Sequence, residues 1–187
     1  MKIQNIKYRW ILIGMLTVLF LMVAAIISYF GSQNGRVSHT ESRFLARFIE
    51  NALTNNFTYN RNDFFWRYTL DELVRKGAHF SEYMLFGLIS GILSNLLLRR
   101  VWLATAISLT VCSIYAYTDE YRQNFVLNRT PSWFDVKMDV TGAVIGIVLA
   151  TIVLLILRYI HRLKRRIKEL EESRGNQADL RSDGIGS

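Results

Sequence analysis

The chain alternates between long apolar runs and short charged stretches. Trp10 to Phe30 carries no charged residue. At 1.5 Å rise per residue such a run covers about 30 Å, the depth of one hydrocarbon core. Gly77 to Leu98 is a second run, interrupted by His79 and Glu82. Val101 to Thr118 is a third and is free of charge. Val140 to Leu157 is a fourth, with its helix expected to start near Asp135. The pattern predicts an all-α membrane protein with four transmembrane helices, over about 10–30, 77–98, 101–118 and 136–160. A cleavable signal peptide competes for the first run, but its apolar core is usually about 7–15 residues. The longer run here reads as an uncleaved anchor.

The segments between the spans are also patterned. Spans two and three meet almost directly through Arg99–Arg100, which predicts a tight helical hairpin. In the loop over 31–76, Phe44, Leu45, Phe48, Ile49, Ala52 and Leu53 recur at helical spacing. Ser38 and Glu41 read as a capping box ahead of them. An amphipathic helix over about 40–54 is expected in this first outer loop, lying on the leaflet or capping the bundle. Phe64, Phe65, Trp66 and Tyr68 follow and suit the headgroup level. Span two carries Gly87-x-x-x-Gly91 and span four Gly142-x-x-x-Gly146. Paired small residues let helix backbones approach closely in lipid.

Composition sharpens the class. Hydrophobic residues make up 51% of 187, and because they are bunched rather than dispersed the chain is a membrane protein. The single cysteine, Cys112, rules out a disulfide framework within one chain and reads as a buried neutral thiol. The net charge of +8 comes from basic residues flanking apolar spans. That placement fits membrane orientation and anionic headgroups, and not nucleic acid.

Orientation follows from the same residues. The N-terminus, the Arg99–Arg100 turn and the tail with Arg158, Arg162, Lys164, Arg165, Arg166 and Lys168 share one side. The positive-inside rule makes that side the cytoplasm, with loops 31–76 and 119–135 outside. The expected layout is a transmembrane domain over 1–160 and a basic cytoplasmic tail over 161–187. That tail is helical at first and is expected to be disordered from Gly175.

Ionisable residues then cluster at one level. Lys76, His79, Glu82 and Tyr83 share a helix stripe at the outer end of span two. Asp119 and Glu120 close span three, and Asp135 and Asp139 open span four. Arg122, Gln123 and Arg129 lie in the segment between. An Asp, Lys or Arg at a helix centre costs about 2.5–3.5 kcal/mol on insertion scales, and less near an interface. So many at one level predict a site.

Each residue has a plainer role beside the functional one. His79 suits a hydrogen-bonded structural histidine, and Glu82 an ion pair with Lys76 or Arg129. Asp135 suits a helix-start acid, with Ser132 as the cap. Arg122 and Gln123 suit a solvated loop, and Asp119–Glu120 simple interfacial charge. A divalent cation on His79, Glu82 and the aspartates is conceivable, but basic residues among the acids argue for mutual pairing instead. No metal or other cofactor is assigned. Ser81 adjoins the His-bearing stripe without a nucleophile elbow.

At these residues the chain resembles the VanZ-like family of bacterial membrane proteins. The stretches that carry the resemblance are R-K-G-A-H-F-S-E-Y-M-L-F-G-L (75–88), D-E-Y-R-Q-N-F (119–125), N-R-T-P-S-W-F-D-V (128–136) and D-V-T-G-A-V-I-G (139–146). G-S-Q-N-G-R-V-S after span one is similar too. Many relatives have Pro-Gly-Arg where this chain has Leu127-Asn128-Arg129. The resemblance implies importance for Lys76, His79, Glu82, Tyr83, Asp119, Glu120, Gln123, Arg129, Asp135, Asp139 and Gly142.

The name-giving member of that family is linked to teicoplanin resistance. The expectation is a multi-pass protein of the bacterial plasma membrane with both termini cytoplasmic. Its outward polar pocket would engage a lipid-linked or peptidoglycan-related ligand, with Arg129, Arg122 and Lys76 holding phosphate or carboxylate. The alternative is an enzyme on an envelope lipid, with His79, Glu82, Asp119 and Asp135 as candidate acids and bases. No reaction and no oligomeric state follow from the sequence.

Overall fold

The computed structural model describes residues 2–33, 48, 64–98, 100–127, 129 and 132–183. Four helices are delimited among the described residues: α1 (Lys2–Ser32), α2 (Phe64–Leu97), α3 (Val101–Gln123) and α4 (Trp133–Asp183). No strand occurs among the described residues. Each helix contains a stretch long and apolar enough to cross a membrane: Lys7–Ser32, Glu72–Leu97, Val101–Gln123 and Trp133–Arg174. The amphipathic helix expected over about 40–54 lies outside the described residues, apart from Phe48, which is helical and exposed.

Two compact units divide the chain, Met1–Thr151 and Ile152–Ser187. In the first, long-range contacts fix the helix directions. The Arg9 guanidinium donates to the Leu96 carbonyl, so α1 starts where α2 ends. Arg122, near the end of α3, donates to Ser28 Oγ at 3.0 Å and to the Ser28 carbonyl at 3.2 Å. Hence α1 and α3 finish at the same end, here termed the polar end. The Ser132 N–H, just ahead of α4, donates to Glu120 Oε1 at 2.8 Å, so α4 starts there.

Val23 and Ile27 of α1, Tyr83, Phe86 and Ile89 of α2, Cys112 and Ala116 of α3, and Ala143 and Ile147 of α4 form the core. Phe86 stacks on Phe20 at 4.5 Å between ring centres and tilts against Tyr115 at 4.9 Å. The α2–α4 contact is made by the paired glycines. A methyl group added at Gly87 would run into the Ala143 carbonyl, and one at Gly146 into the Met84 carbonyl. The small-residue pattern therefore marks a true backbone-to-backbone seam.

Several boundaries differ from the sequence reading. Helix α2 begins at Phe64, well before Gly77, because no proline or helix-ending glycine interrupts 64–76. The expected outer loop is shorter by that much. Helix α3 runs on to Gln123, so Asp119, Glu120, Arg122 and Gln123 are helical and not loop residues. Glu, Arg and Gln tolerate a helix well, and the lone proline lies further on at 131. On α3 the buried stripe is Ala104, Ser108, Cys112, Ala116, Asp119, Glu120 and Gln123, at i, i+3 and i+4 spacing.

In the second unit, α4 continues past Gly175 to Asp183, where the sequence suggested disorder. One glycine costs a helix only about 1 kcal/mol. The i,i+4 pairs Arg165–Glu169 (3.1 Å) and Lys168–Glu172 (3.8 Å) support the preceding turns.

Candidate functional site

The polar end gathers residues from α2, α3, α4 and the loop before α4. Asp119 is 2% exposed, Asp139 5% and Glu120 6%, which is unusual burial for three acids. Asp139 lies within electrostatic reach of Glu120, Asp119, Asp135 and Glu82. Arg129 is within reach of Asp119, Glu120, Asp135 and Arg75. The three patches read separately along the sequence thus converge in space.

Local structure positions each group. Asp119 projects from the buried stripe of α3 against Gly31 of α1. A Cβ at Gly31 would come within 2.7 Å of Asp119 Oδ1. Only a residue without a side chain lets the carboxylate lie so close to α1. Gln123 Nε2, one turn on, donates to Asp119 Oδ2 at 3.4 Å, and the Arg122 guanidinium lies 3.9 Å from Oδ1. Glu120 Oε1 accepts from the Ser132 N–H, while Ser132 Oγ accepts from the Phe134 N–H at 3.1 Å. The serine cap expected for α4 is present, but the acid that answers it comes from α3, not from Asp135.

On α2, His79 Nδ1 is 3.6 Å from Glu82 Oε2. Lys76 pairs with Glu72 at 2.8 Å and lies over the Phe134 ring at 4.9 Å. Of the two partners the sequence offered Glu82, Lys76 is thus engaged elsewhere, and Arg129 lies within electrostatic reach of the Glu82 carboxylate. Arg129 Nη2 donates to the Phe30 carbonyl at 2.9 Å. Burial, followed by the nearby Arg75, lowers the Arg129 pKa from its ordinary value, against the pull of Asp119, Glu120 and Asp135. A guanidinium stays charged at neutral pH all the same. The cations expected to cradle an anion therefore have carbonyl or carboxylate partners of their own.

Some buried atoms at this end stand without a hydrogen-bond partner: Glu82 Oε2, Asp119 Oδ1 and the Tyr83 hydroxyl. Tyr83 is wholly buried and within electrostatic reach of Asp119, Asp139 and Glu120. A separate small cavity of about 170 Å³ between α3 and the start of α4 is lined by Tyr117, Glu120, Tyr121, Asn124, Ser132, Trp133 and Val136, and by none of Glu82, Asp119 and Tyr83. Among the described residues, no three His, Cys, Asp or Glu side chains group closely enough to hold a metal ion.

A model of the VanZ/LLP1 family matches residues 15–156. The chain belongs to the VanZ/LLP1 family. No curated protein and no solved structure matches it. The VanZ/LLP1 match runs from α1 into α4 and takes in every residue of the polar end. With four apolar helices, this VanZ-like chain is a multi-pass protein embedded in a lipid bilayer.

Sequence reasoning missed the residues of α1 and the middle of α3 that hold this end of the VanZ-like bundle. Tyr115 donates to the Ala24 carbonyl at 2.5 Å, Ser28 bonds the Tyr115 hydroxyl at 2.6 Å, and Arg122 donates to Ser28. A signal existed for the hydroxyls alone, as polar groups inside apolar runs. Their carbonyl partners leave no mark on a sequence. Tyr117, Tyr121 and Trp133 on the cavity wall were likewise passed over, although aromatic residues close to span ends were visible.

Proposed function

We propose that this VanZ-like protein turns its polar end outward and binds an exposed group of the cell envelope. By that binding it changes sensitivity to glycopeptide-type or other envelope-directed antibiotics. The observation that carries the reading is the set of buried atoms on Glu82, Asp119 and Tyr83 that accept or donate no hydrogen bond, with only the longer His79 and Arg122 contacts beside the two carboxylate oxygens. Leaving a buried polar atom unsatisfied costs about 1–3 kcal/mol each. An incoming group that completes them is one way such atoms are kept. Two of the three are carboxylate oxygens, with Glu120 and Asp139 nearby. Lys76, Arg122 and Arg129 already have partners. The fitting group therefore brings hydrogen-bond donors or a positive charge, as an amine or amide of a lipid-linked or peptidoglycan-related molecule does. The basic turn and tail supply the orientation through the positive-inside rule.

The test is Glu82→Gln and Tyr83→Phe, each expressed in cells lacking the protein, with membrane levels measured alongside teicoplanin sensitivity. The expected result is a shift toward the sensitivity of cells without the protein. Wild-type sensitivity at wild-type membrane level in both variants would sink the reading.

A second reading, an enzyme on envelope lipid, draws on the His79–Glu82 contact at 3.6 Å, which joins an acid to a base. It predicts a new product when the purified protein meets a labelled lipid precursor, and loss of that product in His79→Gln. Unchanged precursor across pH and added divalent metal would remove it.

A further inference from the structure

After Leu157, where the uncharged run of α4 ends, the apolar residues follow a period of 3.5. From Arg158 to Arg174 they are Tyr159, Ile160, Leu163, Ile167 and Leu170, and every other residue there is polar or charged. Ile160, Leu163, Ile167 and Leu170 step by three, four and three. The same steps run back through Ile156 and Val153 into the apolar span. All six are exposed and lie on one unbroken helix. Written as a heptad, Val153, Ile160 and Ile167 take position a, and Ile156, Leu163 and Leu170 take position d. Arg174 at the next a position ends the seam. A globular helix buries a broader stripe than this. A strict a/d repeat is the mark of a supercoiled partner helix.

Charge identifies that partner. Arg165–Glu169 and Lys168–Glu172, the ion pairs within the helix, use positions b, c and f on the outer face. Arg166 falls at g and Glu171 at the following e, and Glu169 and Lys168, the opposite charges between them, are taken by Arg165 and Glu172. In a parallel, in-register pair of identical helices, g of one chain meets the following e of the other. Arg166 would then meet Glu171 of the second copy, and the reverse, giving two ion pairs across the seam. The preceding g–e pair is Tyr159 with Lys164, so no like charges face each other. β-branched residues at a with Leu at d favour two parallel strands. Two copies inserted in one membrane with the same topology are parallel already, and sharing the bilayer raises their effective concentration.

We propose that a second copy of this chain docks on the Val153–Leu170 seam of α4, forming a parallel two-stranded coiled coil held in register by Arg166 and Glu171. This does not rest on the ligand reading of the polar end.

The experiment uses the full-length protein in isolated membranes, in a Cys112→Ala background with a mild oxidant. Leu163→Cys and Leu170→Cys are expected to give disulfide-linked dimers readily, and Arg165→Cys, on the outer face, at most a trace. Within the Leu163→Cys chain, Arg166→Glu and Glu171→Arg should each cut the dimer yield several-fold, and the two together should restore it. Equal yields at the inner and outer positions overturn the proposal, because they report collision rather than docking. So does an absence of dimer at both inner positions, the result expected if the helix lies on the membrane or binds a different protein. A double swap that stays as low as the single changes overturns the register.

Discussion

The α2–α4 and α2–α3 seams solve the same problem in opposite ways. Lipid tails are as apolar as leucine, so helices gain little by hiding apolar surface from them. At the α2–α4 seam the solution is subtraction. Gly87, Gly142 and Gly146 remove side chains until backbone meets backbone. At the α2–α3 seam the solution is addition. Ser108 Oγ bonds Ser94 Oγ at 2.9 Å and the Ser90 carbonyl at 3.1 Å, and on the α1 side of α3 Tyr115 and Arg122 reach Ala24 and Ser28. A seam built by subtraction has no slack, since any atom added meets a backbone that cannot rotate away. One built from hydrogen bonds fails gradually, because each bond contributes little and its partners can turn toward others.

This difference sets an order of mutational effects. Gly146→Ala should be the most damaging small change, at roughly 3 kcal/mol, near the upper end for overpacking. Gly91→Ala, on the same face, should cost under about 1 kcal/mol, because its new methyl would meet the Ala150 Cβ at 3.0 Å and the Ile147 carbonyl only at 3.5 Å, an ordinary contact. Thermal unfolding of the purified proteins in detergent measures both, and equal losses would erase the distinction. Next comes Tyr115→Phe, which removes the hydroxyl shared by Ala24 and Ser28. A loss of about 1–1.5 kcal/mol is expected, and a loss like that of Gly146→Ala would show the polar seam to be as rigid as the glycine one. The smallest effect belongs to Ser108→Ala, at about 0.6 kcal/mol, the usual value of one interhelical hydrogen bond in a membrane. A drop of several kcal/mol there would invert the comparison.

How much of this was legible in the sequence depends on what a contact is made of. The four spans follow from runs of apolar residues long enough to cross a bilayer, and the α2–α4 seam from two glycine pairs at helical spacing. Ser132 as the cap of α4 follows from residue type alone. The convergence of Glu82, Asp119, Glu120, Arg129 and Asp139 was readable as a common level, because helix direction alternates from span to span. The partners of the basic residues were not readable. Arg122 and Arg129 end on carbonyls of Ser28 and Phe30, and a carbonyl is the same on every residue. Asp119 against Gly31 escaped for a related reason, since a glycine at a span end looks like a simple helix stop. The continuation of α3 to Gln123 was hidden because acids near a span end read as interfacial loop whether or not the helix goes on.

Helix α1 meets its polar partners late. Tyr115, Arg122 and Arg129 lie 87, 94 and 99 residues beyond the groups they bond on α1. At roughly 5–20 residues per second, a ribosome needs about 5–20 s to make that length. For that interval the first span resides in the bilayer without α3, and whatever stability it has is its own. An uncharged apolar surface over Trp10 to Phe30 meets that requirement. Among the acids, Asp139 alone sits on the last helix made, whereas Glu82, Asp119 and Glu120 wait for helices that follow them. The order of synthesis, read against these bonds, thus fits a first span left bare of charge.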